Sequence, residues 1–110
     1  MSQAVQADNQ SLIRSFLFVP ANHPDKVSKV FQYGADAVIL DLEDACAEND
    51  KAASRPVVVE ALKKDRPCKG YVRVNAIDTA FCFRDLDEVI GPWLDGIVIP
   101  KIERAEELYA

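Results

Sequence analysis

The chain has 110 residues, and 49% of them are apolar, which is enough for one small packed core. Its net charge is −5, which argues against binding nucleic acid or an anionic membrane surface, since both want basic patches. A small anionic ligand stays open, because a few local cations suffice to hold one.

No apolar run approaches the ~20 residues of a membrane span. The three cysteines, Cys46, Cys68 and Cys82, form no CxxC pair, and an odd count speaks against a disulfide framework. They read as reduced thiols of a cytoplasmic protein. The polar first residues lack an apolar signal core. Residues 1–13 read as a disordered leader.

Strand one is Ser15 to Val19, closed by Pro20. A helix opens near Pro24, puts Val27, Val30 and Phe31 on one face and ends at Gly34. Strand two runs from Ala37 to Leu42. Its unbroken apolar body is that of a strand buried on both faces. A second helix lies between Asp50 and Lys64, with Val57, Val58, Ala61 and Leu62 apolar. Pro56 falls either in its late first turn or at a kink. Strand three is Tyr71 to Asn75, followed by a short helix near Asp85 to Ile90. Strand four is Gly96 to Ile99, and a last helix starts near Glu103.

Alternating strands and helices imply an α/β fold with a parallel sheet and right-handed crossovers. The βα unit recurs about every 20–30 residues, which matches an eight-unit TIM (β/α)8 barrel of ~250 residues. Four units would be half of one. The last helix lacks a Gly or Asn cap. Residues 14–110 therefore read as the N-terminal half of a barrel domain.

Polar residues collect where the strands end, which is where a barrel keeps its chemistry. Asn22, His23 and Lys26 follow strand one. Asp41, Glu43 and Asp44 end strand two, with Asp41 and Glu43 on one face if the strand continues. Arg73 interrupts strand three, and Lys101 ends strand four. An arginine pointing inward needs an anion. It is either a fork for a substrate carboxylate or the partner of Asp41 or Glu43. The three acids carry the oxygen ligands that Mg²⁺ prefers, or else pair with Arg73 and Lys101 while Asp44 solvates a turn. His23 precedes a helix N-terminus, where anion binding suits it better than proton transfer. Glu48, Asp50 and Lys51 read as a helix start, and Arg84, Asp85, Asp87 and Glu88 as a charged helix surface. There is no GxGxxG, no P-loop and no zinc spacing.

Four stretches in order carry a resemblance: Arg14 to Pro20, Gly34 to Asp44, Val72 to Asn75 and Gly96 to Lys101. Together they look like the citrate lyase β-subunit and malyl-CoA lyase family of the HpcH/HpaI aldolase superfamily. The resemblance implies a TIM barrel and a Mg²⁺-dependent carbon–carbon lyase. Such enzymes split a β-hydroxyacyl-CoA into an acyl-CoA and a 2-oxo acid, usually as trimers or hexamers. Carried over, Arg73 holds the substrate carboxylate, and Phe18, Val19, His23 and Lys29 line the CoA side. Glu43 and Asp44 are the catalytic acids near the metal. Asp41, Glu43 and Asp44 stand behind its ligands, which the family places on later strands.

The family loop Pro-Gly-x-Arg-Pro is here Pro20-Ala21-Asn22-His23-Pro24, with a titratable histidine in place of arginine. Two other readings stay open: a class II aldolase acting on free 2-oxo acids, and a noncatalytic fragment whose exposed sheet edges pair with another chain.

Overall fold

A computed structural model of the chain describes residues 13–100. The expected leader except Ile13, Lys101 and the expected last helix lie outside the described residues. The elements in chain order are β1 (Phe16–Pro20), α1 (Pro24–Val30), β2 (Ala37–Asp41), a 3₁₀ turn (Glu48–Asp50), α2 (Lys51–Lys63), β3 (Lys69–Arg73), α3 (Cys82–Val89) and β4 (Gly96–Val98). The strands form one parallel sheet in the order β1-β2-β3-β4.

The sequential order decides the architecture. Each crossover passes to the next neighbour in the same sense, so right-handed connections leave every helix on one face. A doubly wound sheet would need the order to reverse. One face of the sheet supplies Val19, Val38, Leu40, Leu42, Val72 and Val74 to the core. The helices answer with Val27, Val30 and Phe31 from α1 and its end, Val58 and Leu62 from α2, and Val89 from α3. Each such side chain, fully buried, contributes about 1.5–3 kcal/mol. At Gly70 an added Cβ would come within 2.5 Å of Leu62 Cδ2, so β3 lies close under α2.

The other face carries Phe16 and Phe18 from β1, Ala37, Ile39 and Asp41 from β2, and Tyr71 and Arg73 from β3, matched by the register Phe18↔Ile39↔Tyr71 and Pro20↔Asp41↔Arg73. Phe16 is 43% exposed and Phe18 51% exposed. The described sheet is thus open and covered by helices on one side.

Several elements differ from the sequence expectation. α1 stops at Val30, and three residues, Phe31 to Tyr33, intervene before Gly34, whose φ of 89° is left-handed. β2 ends at Asp41, so Glu43 is beyond the strand and does not share a strand face with Asp41. β3 runs two residues earlier than expected, and Asn75 is outside it. α3 opens at Cys82, a turn before Asp85. Pro56 lies inside α2, past its first turn. It has no N–H to give to Ala52, but both residues are exposed, so the missing bond falls on the solvent side.

Candidate active site

The carboxyl edge of β2 and β3 gathers the charged groups. Asp41, the last residue of β2, is 1% exposed, and all its bonds come from three places. Arg73 grips it side-on, Nε donating to Oδ1 at 3.0 Å and Nη2 to Oδ2 at 2.7 Å. The backbone N–H of Glu43 donates to Oδ1 at 2.8 Å, and that of Ala45 to Oδ2 at 3.0 Å. Burial alone would push the Asp41 carboxyl up. The Arg73 hydrogen bond, the two backbone donors and the arginine's charge outweigh it and hold the carboxyl below the usual aspartate range. The bonds to Asp41 likewise raise Arg73 further, against the cost of its partial burial.

The pairing of Arg73 with Asp41 does not exhaust the arginine. Only the Nε–Nη2 side of the fork is used, and Nη1 makes no hydrogen bond among the described residues. The side chain remains 24% exposed. Its guanidinium lies over the Phe18 ring at 5.1 Å, and Nε is 3.7 Å from Glu43 Oε1. The outcome is a partly exposed arginine oriented by a buried carboxylate, with Nη1 and the second N–H of Nη2 uncommitted among the described residues. Nη1 and Nη2 together form the edge that takes a planar carboxylate in two parallel bonds.

The other sequence candidates fall around this pair. Phe18 is on the open face beside Arg73, whereas Val19 points the opposite way into the core at 5% exposure. Glu43 is half-buried and Asp44 exposed in the turn after β2. His23 precedes α1 without a side-chain cap, and Lys29 is exposed in that helix's last turn. The β1–α1 loop is tied down through Asn22, which donates from Nδ2 to Asp50 Oδ2 at 2.9 Å. Among the described residues, no three His, Cys, Asp or Glu side chains converge to hold a metal ion. Cys46, Cys68 and Cys82 are unbridged, and burial pushes all three thiols up, which makes them poor nucleophiles.

Two features of the site's support were not read from the sequence. Lys51 is 7% exposed and sends Nζ to the main-chain oxygens of Leu42 and Glu43, both at 2.7 Å. Asp85, expected on a helix surface, is fully buried. It accepts from Arg55 Nε at 2.8 Å, and from Asn75 N at 2.8 Å and Nδ2 at 2.6 Å. Nothing local announces the Arg55–Asp85 pair. Lys51 did carry a signal: a cation opening a helix opposes the helix dipole, which favours acids there.

The structure is an α/β fold with a singly wound parallel sheet that carries an oriented arginine and clustered acids at its carboxyl edge. Comparison with known proteins agrees. The HpcH/HpaI aldolase/citrate lyase family model matches residues 14–110, and the chain belongs to that family. It is 35% identical over 104 residues to citrate lyase subunit beta of Leuconostoc mesenteroides subsp. cremoris, covering 93% of this chain and 34% of the relative. It is 40% identical over 102 residues to an L-malyl-CoA/beta-methylmalyl-CoA lyase of Cereibacter sphaeroides, covering 88% and 32%. Among solved structures, the Mycobacterium tuberculosis citrate lyase beta subunit complexed with oxaloacetate and magnesium superposes with a TM-score of 0.71 at 38% identity, over 86% of this chain and 41% of that one. The same organism's protein CitE, in complex with magnesium, acetoacetate and coenzyme A, gives 0.71 at 35% identity, over 88% and 36%. The chain therefore spans about a third of the length of the curated relatives it matches.

Proposed function

We propose that the whole protein is a cytoplasmic, Mg²⁺-dependent carbon–carbon lyase, a homo-oligomer, that cleaves a short β-hydroxyacyl-CoA to an acyl-CoA and a 2-oxo acid. Residues 14–110 form the N-terminal half of its TIM barrel. The observation that carries this reading is Arg73, clamped side-on by Asp41 with Nη1 making no hydrogen bond among the described residues. In the cleavage, the bond between the acyl α-carbon and the hydroxyl-bearing carbon breaks. The hydroxyl loses its proton, its carbon becomes the 2-oxo carbonyl, and the bonding pair passes to the thioester as an enolate, whose α-carbon takes up a proton to give the acyl-CoA. Arg73 holds the carboxylate next to that carbon, which fixes the reacting bond relative to the rim.

The described residues do not by themselves fit the metal. Both Asp41 oxygens are committed to Arg73 and to backbone donors, and no three His, Cys, Asp or Glu side chains converge among the described residues. Its direct ligands belong to later strands, with Glu43 and Asp44 reaching its water shell. Phe18, His23 and Lys29 line the CoA side. Val19, packed in the core, contributes there only through the backbone.

The test is the intact protein with Mg²⁺ and malyl-, citramalyl- and citryl-CoA, read by mass spectrometry. Chelator-sensitive acetyl-CoA and the matching 2-oxo acid are expected from at least one. Turnover of free hydroxy-oxo acids with no requirement for CoA would instead assign the class II aldolase reading. The coenzyme A bound to the protein CitE relative favours the CoA branch.

A further inference from the structure

Lys51 is in an electrostatically awkward place. It is the first residue of α2, where the helix dipole repels a cation. It is buried, so its ammonium has lost most of its water. Among the described residues it has no carboxylate partner; both hydrogen bonds go to main-chain carbonyls, and Phe81 packs over the charge at 5.7 Å. The preceding Asp50 makes no side-chain cap to the helix, so a usual way of starting it is not used. A local rule broken without local gain points to a role elsewhere.

That role is visible in what the two carbonyls belong to. They flank Glu43. The peptide before it has its C=O held by Lys51 and its N–H held by Asp41 Oδ1. The peptide after it has its C=O held by Lys51, and Cys46 N also donates to that oxygen at 3.4 Å. One step back, Leu42 N donates to Arg73 O at 2.9 Å, which fastens the turn to β3. Both peptide planes around the Glu43 Cα are therefore fixed, and with them the direction in which its Cα–Cβ bond leaves the turn. Without Lys51 the Asp41 bonds would hold the turn from one side only.

We infer that Lys51 is a positioning residue: it sets the β2–α2 turn so that Glu43 and Asp44 stand at a fixed distance from Arg73. Lys51 itself touches no substrate. The catalytic part of the inference rests on the lyase reading above; the turn-setting part does not.

The experiment uses the intact protein, wild type and Lys51→Met, which keeps the length of the side chain and removes the donors. Amide exchange followed by mass spectrometry should show at least about tenfold faster exchange for the peptide spanning residues 42–46, with β1 and β3 peptides unchanged. In the lyase assay kcat should fall about tenfold or more with KM for the CoA ester within about twofold, the mark of misplaced chemistry rather than lost binding. In a Glu43→Gln background the same substitution should cost no more than about twofold, because the two act through one group. Lys51→Arg, which keeps a cation with several donors, should recover most of the protection and of kcat; it also serves if Lys51→Met does not fold. Unchanged exchange at 42–46 would overturn the inference. So would faster exchange across the whole sheet, or a kcat loss that multiplies with that of Glu43→Gln, since either makes Lys51 a general stabiliser. If the wild type turns over no CoA ester, the lyase reading falls, while the exchange result still decides whether Lys51 sets the turn.

Discussion

The molecule contains two arginine–aspartate pairs that look alike on paper. Arg55 meets Asp85 at 2.8 Å and Arg73 meets Asp41 at 2.7 Å, and both aspartates are almost fully buried. The difference is on the arginine side. The Arg55 side chain is 5% exposed, wedged between α2 and α3, and its remaining contacts are the Phe81 carbonyl at 3.5 Å and Glu88 at 3.6 Å. The Arg73 side chain is 24% exposed, and its Nη1 makes no hydrogen bond among the described residues. In each case the aspartate also collects backbone donors: Glu43 and Ala45 for Asp41, Asn75 for Asp85. So the aspartate builds the local backbone in both pairs, while only the rim arginine retains something to offer a ligand. An ion pair is thus weak evidence against function; what counts is whether its cation has a side left over.

The largest effect should come from the rim. Arg73→Ala in the intact protein is expected to lower kcat/KM by about three orders of magnitude, the worth of a lost bidentate charge-assisted contact of about 4 kcal/mol. Unchanged kcat/KM would sink the lyase assignment. Arg73→Lys should not rescue it, since a point charge cannot replace the fork.

Next is the buried pair. Arg55→Met leaves Asp85 without its cation and should cost about 3–5 kcal/mol in denaturant unfolding. Its kcat/KM per folded molecule should stay within about threefold. A specific kinetic defect with normal stability would erase the distinction between the two pairs.

Acid provides a gentler probe. Folding depresses the Asp41 carboxyl, so between its folded and unfolded values the unfolded chain binds more protons. The stability this contributes is fully present above the ordinary aspartate value of about 3.9 and is lost as the pH falls through the folded value. Urea midpoints taken from roughly pH 6 downward should therefore fall less steeply below about pH 4 in Asp41→Asn than in wild type. Parallel curves would mean that Asp41 is not titrating as its contacts require.

The smallest effect is at Phe18. Removing the ring from beneath Arg73 in Phe18→Leu should change stability by about 0.5–1 kcal/mol and raise KM about two- to threefold, measured side by side with wild type.

Much of this was legible in one dimension. The run Val38-Ile39-Leu40 predicts a strand buried on both faces, and every β2 residue is buried. Pro20 closed β1 where expected, at the end of a strand that is an edge among the described residues. Arg73 stood out because a cation inside a valine strand demands an anion, and Asp41 was one of the two partners that the pattern offered. Chain alternation likewise gave the parallel sheet, because helix and strand periods are local properties of side-chain spacing.

Tertiary structure decided the rest. Which carboxylate Arg73 hydrogen-bonds, with Glu43 left at 3.7 Å, depended on the register Asp41↔Arg73 and on β2 ending just there, which sent Glu43 into the turn. Asp85 reads as one more charge on an acidic helix; only the packing of α3 against α2 and the end of β3 buries it. Lys51 reads as part of a helix start until the turn it serves is folded beneath it. Burial of a charge is set by what covers it, and the covering groups are 8 to 30 residues away in sequence. Periodicity reports which face of an element is apolar, and it carries no information about which of the polar residues the next element will close over.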